Sequence, residues 1–174
     1  LGLSVSDILE VKSLVTNDKL NLHVGFNRRC DPDFSSLKTA ISNGEIGDLH
    51  TIKITSRDPS PPPISYIKKS GGIFLDMTIH DFDMVKYLSG SEIFKIYAKG
   101  GCFIDPEIKN AKDIDTAIIN MNLKNGVLAT INNSRKAVYG YDQRVEVLGS
   151  KGTLKVGNSL LSGVQKGTKN GFTT

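Results

Sequence analysis

The chain has 174 residues, 39% hydrophobic and 23% charged, with 22 Lys and Arg against 18 Asp and Glu and a net charge of +4. These are the proportions of one ordinary globular domain, large enough to fold without disulfide or metal staples. No apolar run approaches the roughly 18 residues of a membrane span. The lysines are scattered rather than gathered on a basic, aromatic-laced face, so neither a membrane nor a nucleic-acid partner is expected. Leu1-Gly2-Leu3-Ser4 lacks a basic region and a long apolar core, so no secretory signal is expected. Cys30 and Cys102 lack a CxxC partner and a His at zinc spacing. Free thiols are expected, which fits a reducing cytosol and a cytoplasmic protein.

Ser4 to Val15 reads as an amphipathic helix capped by Ser4 or Ser6, with Ile8, Leu9, Val11, Leu14 and Val15 at helical spacing. Leu20 to Phe26 reads as a strand ending at the polar cluster Asn27-Arg28-Arg29. A helix feeding a strand is half of a βαβ unit without its first strand, which points to a chain cut short at its N-terminus. A second helix is predicted from about Pro32 to Ser42, with Asp31 as cap and Pro32 in its first turn. A turn over residues 43–48 leads to a strand from Leu49 to about Ser56. Ser56 to Pro63 ends in consecutive prolines and must be an extended loop.

Gly71-Gly72 releases the chain into the strongest helical signal, about Ile73 to Leu88, stopped at Ser89-Gly90. Beyond it, Ile93–Lys99, Thr116–Leu123, Val127–Ser134, Arg144–Leu148 and Gly152–Val156 read as strands. Short turns such as Lys124-Asn125-Gly126 and Gly149-Ser150-Lys151-Gly152 predict antiparallel neighbours. The tail from Leu161 to Thr174, rich in Gly, Ser, Thr and Lys, has little to pack and reads as frayed or cut short.

The helix over 73–88 carries the chemistry. At about 100° per residue, Asp76, His80 and Asp83 fall within a sector of roughly 60°, with Tyr87 beside them. Ile73, Met77, Met84 and Leu88 flank this stripe on one side, and Leu75, Ile79 and Phe82 on the other. Carboxylates and an imidazole between apolar borders are costly unless they serve each other or a ligand. Asp76, one turn before His80, can fix the imidazole's tautomer and raise its basicity for acid–base work. A His–Asp pair that merely satisfies itself is the alternative. A facial metal set is another, but nothing nearby completes a shell, and His23 and His50 lie far off in sequence, so no metal is expected.

Other polar residues have two readings each. Arg28, after the last apolar residue of its strand, stands where α/β proteins place ligand contacts, or is a surface Arg. Arg57 and Asp58, in the proline-stiffened loop, can pin hydroxyls or pair with each other. Tyr139 and Tyr141 can donate to a polar ligand or cover the core edge. Lys68 and Lys69 can serve an anion or stay solvated.

Gly25-Phe26-Asn27-Arg28-Arg29, Ser56-Arg57-Asp58-Pro59, Ser70-Gly71-Gly72 leading to Asp76-Met77-Thr78-Ile79-His80-Asp81-Phe82-Asp83, and Tyr139-Gly140-Tyr141-Asp142-Gln143-Arg144 occur in this order. Together they resemble the glucose–fructose oxidoreductase (Gfo/Idh/MocA) family of NAD(P)-dependent sugar dehydrogenases, and within it the inositol 2-dehydrogenases. The likeness covers about residues 1 to 157. It implies an α+β fold: a large, mostly antiparallel sheet with helices on one face, preceded by the last helix and strand of a Rossmann domain. Residues 1–30 would be the remnant of a dinucleotide-binding domain, and 31–174 the substrate-binding and oligomerisation domain.

The resemblance further implies oxidation of a ring hydroxyl of myo-inositol or a related polyol or sugar by hydride transfer to NAD, with NADP as the alternative. His80 matches the general base, and Asp76 the carboxylate that orients substrate and supports a lysine. Asp83, Arg28, Arg57, Asp58, Tyr139 and Tyr141 match substrate contacts, and Asn27 and Arg28 cofactor contacts. The sheet's open face implies a homo-oligomer. The chain has no G-x-G-x-x-G turn, and the family's Glu-Lys-Pro segment would precede Leu1, so the chain alone is expected to be inactive. A non-catalytic sugar-binding or oligomerisation domain of the same fold is the competing reading.

Overall fold

A computed structural model describes residues 2–158, and the backbone at 166–168 and 171–173. Helix α1 (Val5–Asn17) opens with a capping box, in which the Ser4 side chain accepts from the Asp7 amide and the Asp7 carboxylate accepts from the Ser4 amide. It buries none of its residues. Leu3, Val5, Ile8, Leu9 and Leu14 stay exposed, as do Leu20, Leu22 and Val24 beyond it.

The expected strand over Leu20–Phe26 does not form. A strand needs a ladder partner, and among the described residues none lies beside this segment, which instead enters a 3-10 turn at Asn27–Cys30. Arg28 therefore sits in that turn rather than at a strand end.

Helix α2 (Pro32–Ser42) forms as its sequence dictates, with Asp31 accepting from the Asp33 and Phe34 amides and Pro32 in the first turn. Strand β1 (Leu49–Arg57) leads into the proline loop. Next come helix α3 (Ile64–Ser70), closed by Gly71 in the left-handed region, a π-helical turn at Phe74–Thr78, and helix α4 (Ile79–Ser89). The chain continues through β2 (Ile93–Gly101), α5 (Pro106–Asn110), β3 (Thr116–Leu123), β4 (Leu128–Ser134), β5 (Asp142–Gly149) and β6 (Thr153–Val156).

The strands form one sheet in the order β2-β3-β4-β1-β5-β6. Only β1 and β4 run parallel; the other neighbours are antiparallel. This is the α+β architecture that the sequence led us to expect. Lys166–Thr168 and Gly171–Thr173 (β7 and β8) pair separately, and the rest of the 161–174 tail lies outside the described residues.

Side chains alternate across the sheet. Ile52, Ile54, Ile119, Met121, Ile131, Val145 and Val147 point to one face, where Met84, Val85 and Leu88 of α4 and Phe34 and Leu37 of α2 cover them. The opposite face is open and mixed. It shows Lys53, Arg57, Asn132, Arg144 and Glu146 beside the exposed Ile118, Leu128 and Leu148. The apolar face thus presses α4 onto the sheet and fixes which of its side chains point inward. Cys30 is exposed, Cys102 half-buried, and both are free thiols. Among the described residues no helix is long and apolar enough to cross a membrane.

Candidate active site

A cleft of about 280 Å³ opens where the 27–30 turn, the proline loop and the π turn converge; Asn27, Arg28, Asp58, Asp76, Met77, His80 and Tyr141 line it. Six of these were singled out from the sequence. The remaining sequence candidates lie elsewhere. Asp83 is gripped by Arg29, whose Nε and Nη2 donate to its two oxygens at 2.8 and 2.5 Å. Arg57 turns to the open face of the sheet, donating to Asn132 Oδ1 and to the Tyr139 hydroxyl at 2.7 Å. Tyr139 in turn donates to Asp142 at 2.6 Å. Neither Arg57 nor Tyr139 lines the cleft: alternation along β1 turns Arg57 to the open face, and there it draws the Tyr139 hydroxyl.

The expected Asp76–His80 pair also needs correction. Asp76 Oδ1 accepts from the Tyr66 hydroxyl at 2.6 Å, and Oδ2 accepts from Arg135 Nη1 at 3.0 Å. A π turn winds the chain by less per residue than an α turn, which shifts Asp76 from its predicted azimuth relative to His80. Both side chains still border the cleft, but they do not stack as an i,i+4 pair. The His80 ring packs edge-on against Phe26, at 6.0 Å between centroids and 82° between planes.

The residue after His80 faces the other way. Asp81 is fully buried. Its carboxylate receives Arg28 Nη1 and, at 2.7 Å, Asn133 Nδ2. Arg28 Nη2 also donates to Ser56 Oγ at 3.2 Å, and Gln143 donates to the same oxygen at 2.8 Å. Burial pushes the Asp81 carboxyl above its ordinary range, against the opposing pull of Arg28 and Asn133. Sequence reading passed over Asp81, although a signal was present. It lies four residues after Met77 and three before Met84, within the stripe of α4 that packs on the sheet.

Asp58 is half-buried, and its backbone is fixed by bonds to Ser134 and Ala137. Burial raises its carboxyl above the ordinary value; Arg135 and Arg28 pull it down, and Asp76 and Asp81 push it further up. The cleft therefore gathers one imidazole, two carboxylates, a guanidinium, an amide and a phenol around a small polar space. Such a set can accept a proton and hold several hydroxyl groups at once. Among the described residues, no group of His, Cys, Asp or Glu is arranged to hold a metal ion.

Comparison with known proteins identifies the family. The GFO/IDH/MocA C-terminal domain matches residues 34–155. An uncharacterized oxidoreductase of Bacillus subtilis, YrbE, is 50% identical over 168 residues, covering 97% of this chain and 49% of the relative. The myo-inositol 2-dehydrogenase of Thermotoga maritima is 51% identical over 158 residues, covering 91% of this chain and 47% of the relative. The crystal structure of scyllo-inositol dehydrogenase from Lactobacillus casei, with bound NAD(H) and scyllo-inositol, superposes with a TM-score of 0.85 at 30% identity. That match covers 99% of this chain and 53% of the other. The chain thus spans about half the length of the relatives it matches. With this fold and a matched segment running from α2 into β6, the chain belongs to the GFO/IDH/MocA family.

Proposed function

We propose that this chain is the substrate-binding half of an NAD-dependent dehydrogenase that oxidises a ring hydroxyl of myo-inositol or a related cyclitol. The reading rests above all on one observation: His80, Asp76 and Asp58 converge on a single polar cleft beside Arg28 and Tyr141. The 51% identity to a protein named myo-inositol 2-dehydrogenase supports the substrate class.

In this reading an imidazole nitrogen of His80 takes the proton of the hydroxyl being oxidised. Asp76 and Asp58 accept hydrogen bonds from ring hydroxyls, and Arg28 and Tyr141 donate to others, so the polyol is held in one orientation. Asp83, Arg57 and Tyr139 have their partners elsewhere and are left out of the substrate set. NAD, when bound, supplies the hydride acceptor. An amide and a guanidinium, Asn27 and Arg28, fit the nicotinamide end of that cofactor beside the cleft. The sequence has no Gly-rich turn for a diphosphate, so most of the cofactor's contacts fall to residues outside this chain.

Residues 1–30 then belong with the nucleotide-binding half, and the exposed apolar row from Leu3 to Val24 is the surface it covers. Residues 31–174 form the substrate half, whose open sheet face joins copies into a homo-oligomer. The chain alone is inactive. Assaying the intact protein with myo-inositol, scyllo-inositol and aldose sugars, against NAD and NADP separately, tests the reading. Cyclitol-dependent NADH formation is expected. Oxidation of none of these with either cofactor overturns it.

A further inference from the structure

Arg135, just past the end of β4, is 1% exposed and stands among the largest fully buried side chains. A guanidinium stays charged in a protein, so burying one is costly unless acids answer it. Arg135 has two. Its Nη1 donates to Asp76 Oδ2 at 3.0 Å, and its Nη2 lies 3.5 Å from Asp113 Oδ2. Yet the buried Arg135 Nε and Nη2 and Asp113 Oδ2 lack hydrogen-bond partners among the described residues. This is a poor arrangement for stability alone.

Its geometry makes sense as a brace for the cleft. Asp113 Oδ1 accepts from the Ile73 amide at 3.1 Å, at the entry to the helical segment. Gly72, at φ +82°, leaves room there: a Cβ would stand 2.8 Å from Asp113 Oδ1. Two residues before Arg135, Asn133 Oδ1 accepts from Thr78 Oγ1 at 2.7 Å. Asn133 and Arg135 thus grip the π turn at Thr78 and at Asp76. Asp58, on the proline loop, also feels Arg135, which lowers its carboxyl against burial.

We propose that Arg135 is a positioning residue of the cleft, acting through Asp76: the Asp113–Arg135–Asp76 fork sets where the Asp76 carboxylate meets the polyol. This rests on the reading above.

A double-mutant cycle in the intact protein tests it, with Arg135→Gln, Asp76→Asn and the two combined. Arg135→Gln is expected to lower kcat/KM for myo-inositol by about 10–100-fold, as the loss of an outer partner of a site residue does. The combined variant should be no slower than Asp76→Asn alone, and Arg135→Lys should recover part of the loss. Losses that multiply, or an Arg135→Gln rate within about twofold of wild type, overturn the proposal. If Arg135→Gln does not fold, Asp113→Asn replaces it; it opens the far end of the fork, and the same non-multiplying pattern is required.

Should the wild-type protein oxidise no polyol, the reading above fails separately. The brace is then judged by NMR titration of the Asp58 carboxyl in the same variant. The Asp58 carboxyl faces Arg135, Arg28, Asp76 and Asp81. Removing Arg135, or in Asp113→Asn loosening it, should move that titration to a different pH, upward for Arg135→Gln. An unmoved titration overturns the proposal.

Discussion

Arg28 donates to the buried carboxylate of Asp81, which fastens the turn after the first helix to the first turn of the helix that carries His80. The side chains are 16% and 0% exposed, so little water is available to either charge. Asp81→Ala leaves a largely buried guanidinium without its acid and Asn133 Nδ2 with only its longer bond to the Ser56 carbonyl at 3.4 Å. It should destabilise by about 3 kcal/mol, read as a lower urea midpoint. Asp81→Asn, which keeps the shape and one acceptor, should cost less.

His80→Ala should lower kcat of the intact protein at neutral pH by about 10²–10⁴, the usual worth of a general base. His80 packs against Phe26 without anchoring the core, so the melting temperature should hardly move. Steady-state kinetics beside a thermal melt check both halves of this expectation.

Asp58→Asn should stabilise the fold while impairing it as an enzyme. Burial raises the folded-state pKa of Asp58 above its ordinary 3.8. The folded state then holds the proton more tightly than the unfolded chain. Stability falls as pH rises through that raised value, and at neutral pH the ionised carboxylate is a cost. Thermal melts should show the variant above wild type at pH 7, with the gap closing at about pH 3, below both values.

Asp142 behaves in the opposite sense. Burial works against its charge, but hydrogen bonds from Arg144, Tyr139 and Asn158 prevail and lower its carboxyl to about 2. Its contribution is complete above the ordinary 3.8 and is lost as pH falls from there towards about 2. Asp142→Asn should reduce stability at neutral pH and flatten that acid limb in denaturant titrations at fixed pH.

The sequence announced most strands and three helices because their signals are local: alternation along β3, Ser4 at the start of α1, Asp31-Pro32 at the start of α2, Gly90 after α4. The cleft's lining was largely legible for the same reason, since one helix supplies Asp76 and His80. What escaped depends on contacts distant in the chain. The segment after α1 has the composition of a strand but, among the described residues, no neighbour to pair with. Helix α3, at 7 residues, is too short to show a period. The π turn violates the 3.6-residue spacing on which the Asp76–His80 argument relied. Arg135 after Ser134 looks like a solvated surface residue, and nothing local links it to acids at positions 76 and 113.

Strand β1 lies between β4 and β5, both made much later in the chain. As the polypeptide leaves the ribosome, β2, β3 and β4 can zip in turn through adjacent antiparallel pairs. Residues 49–57 meanwhile wait with both edges open and Ile52 and Ile54 uncovered. Pairings so distant close slowly and leave sticky edges in the interim. The central strand is therefore flanked on both edges only once Gly149 has emerged, and until then its apolar residues can join wrong partners.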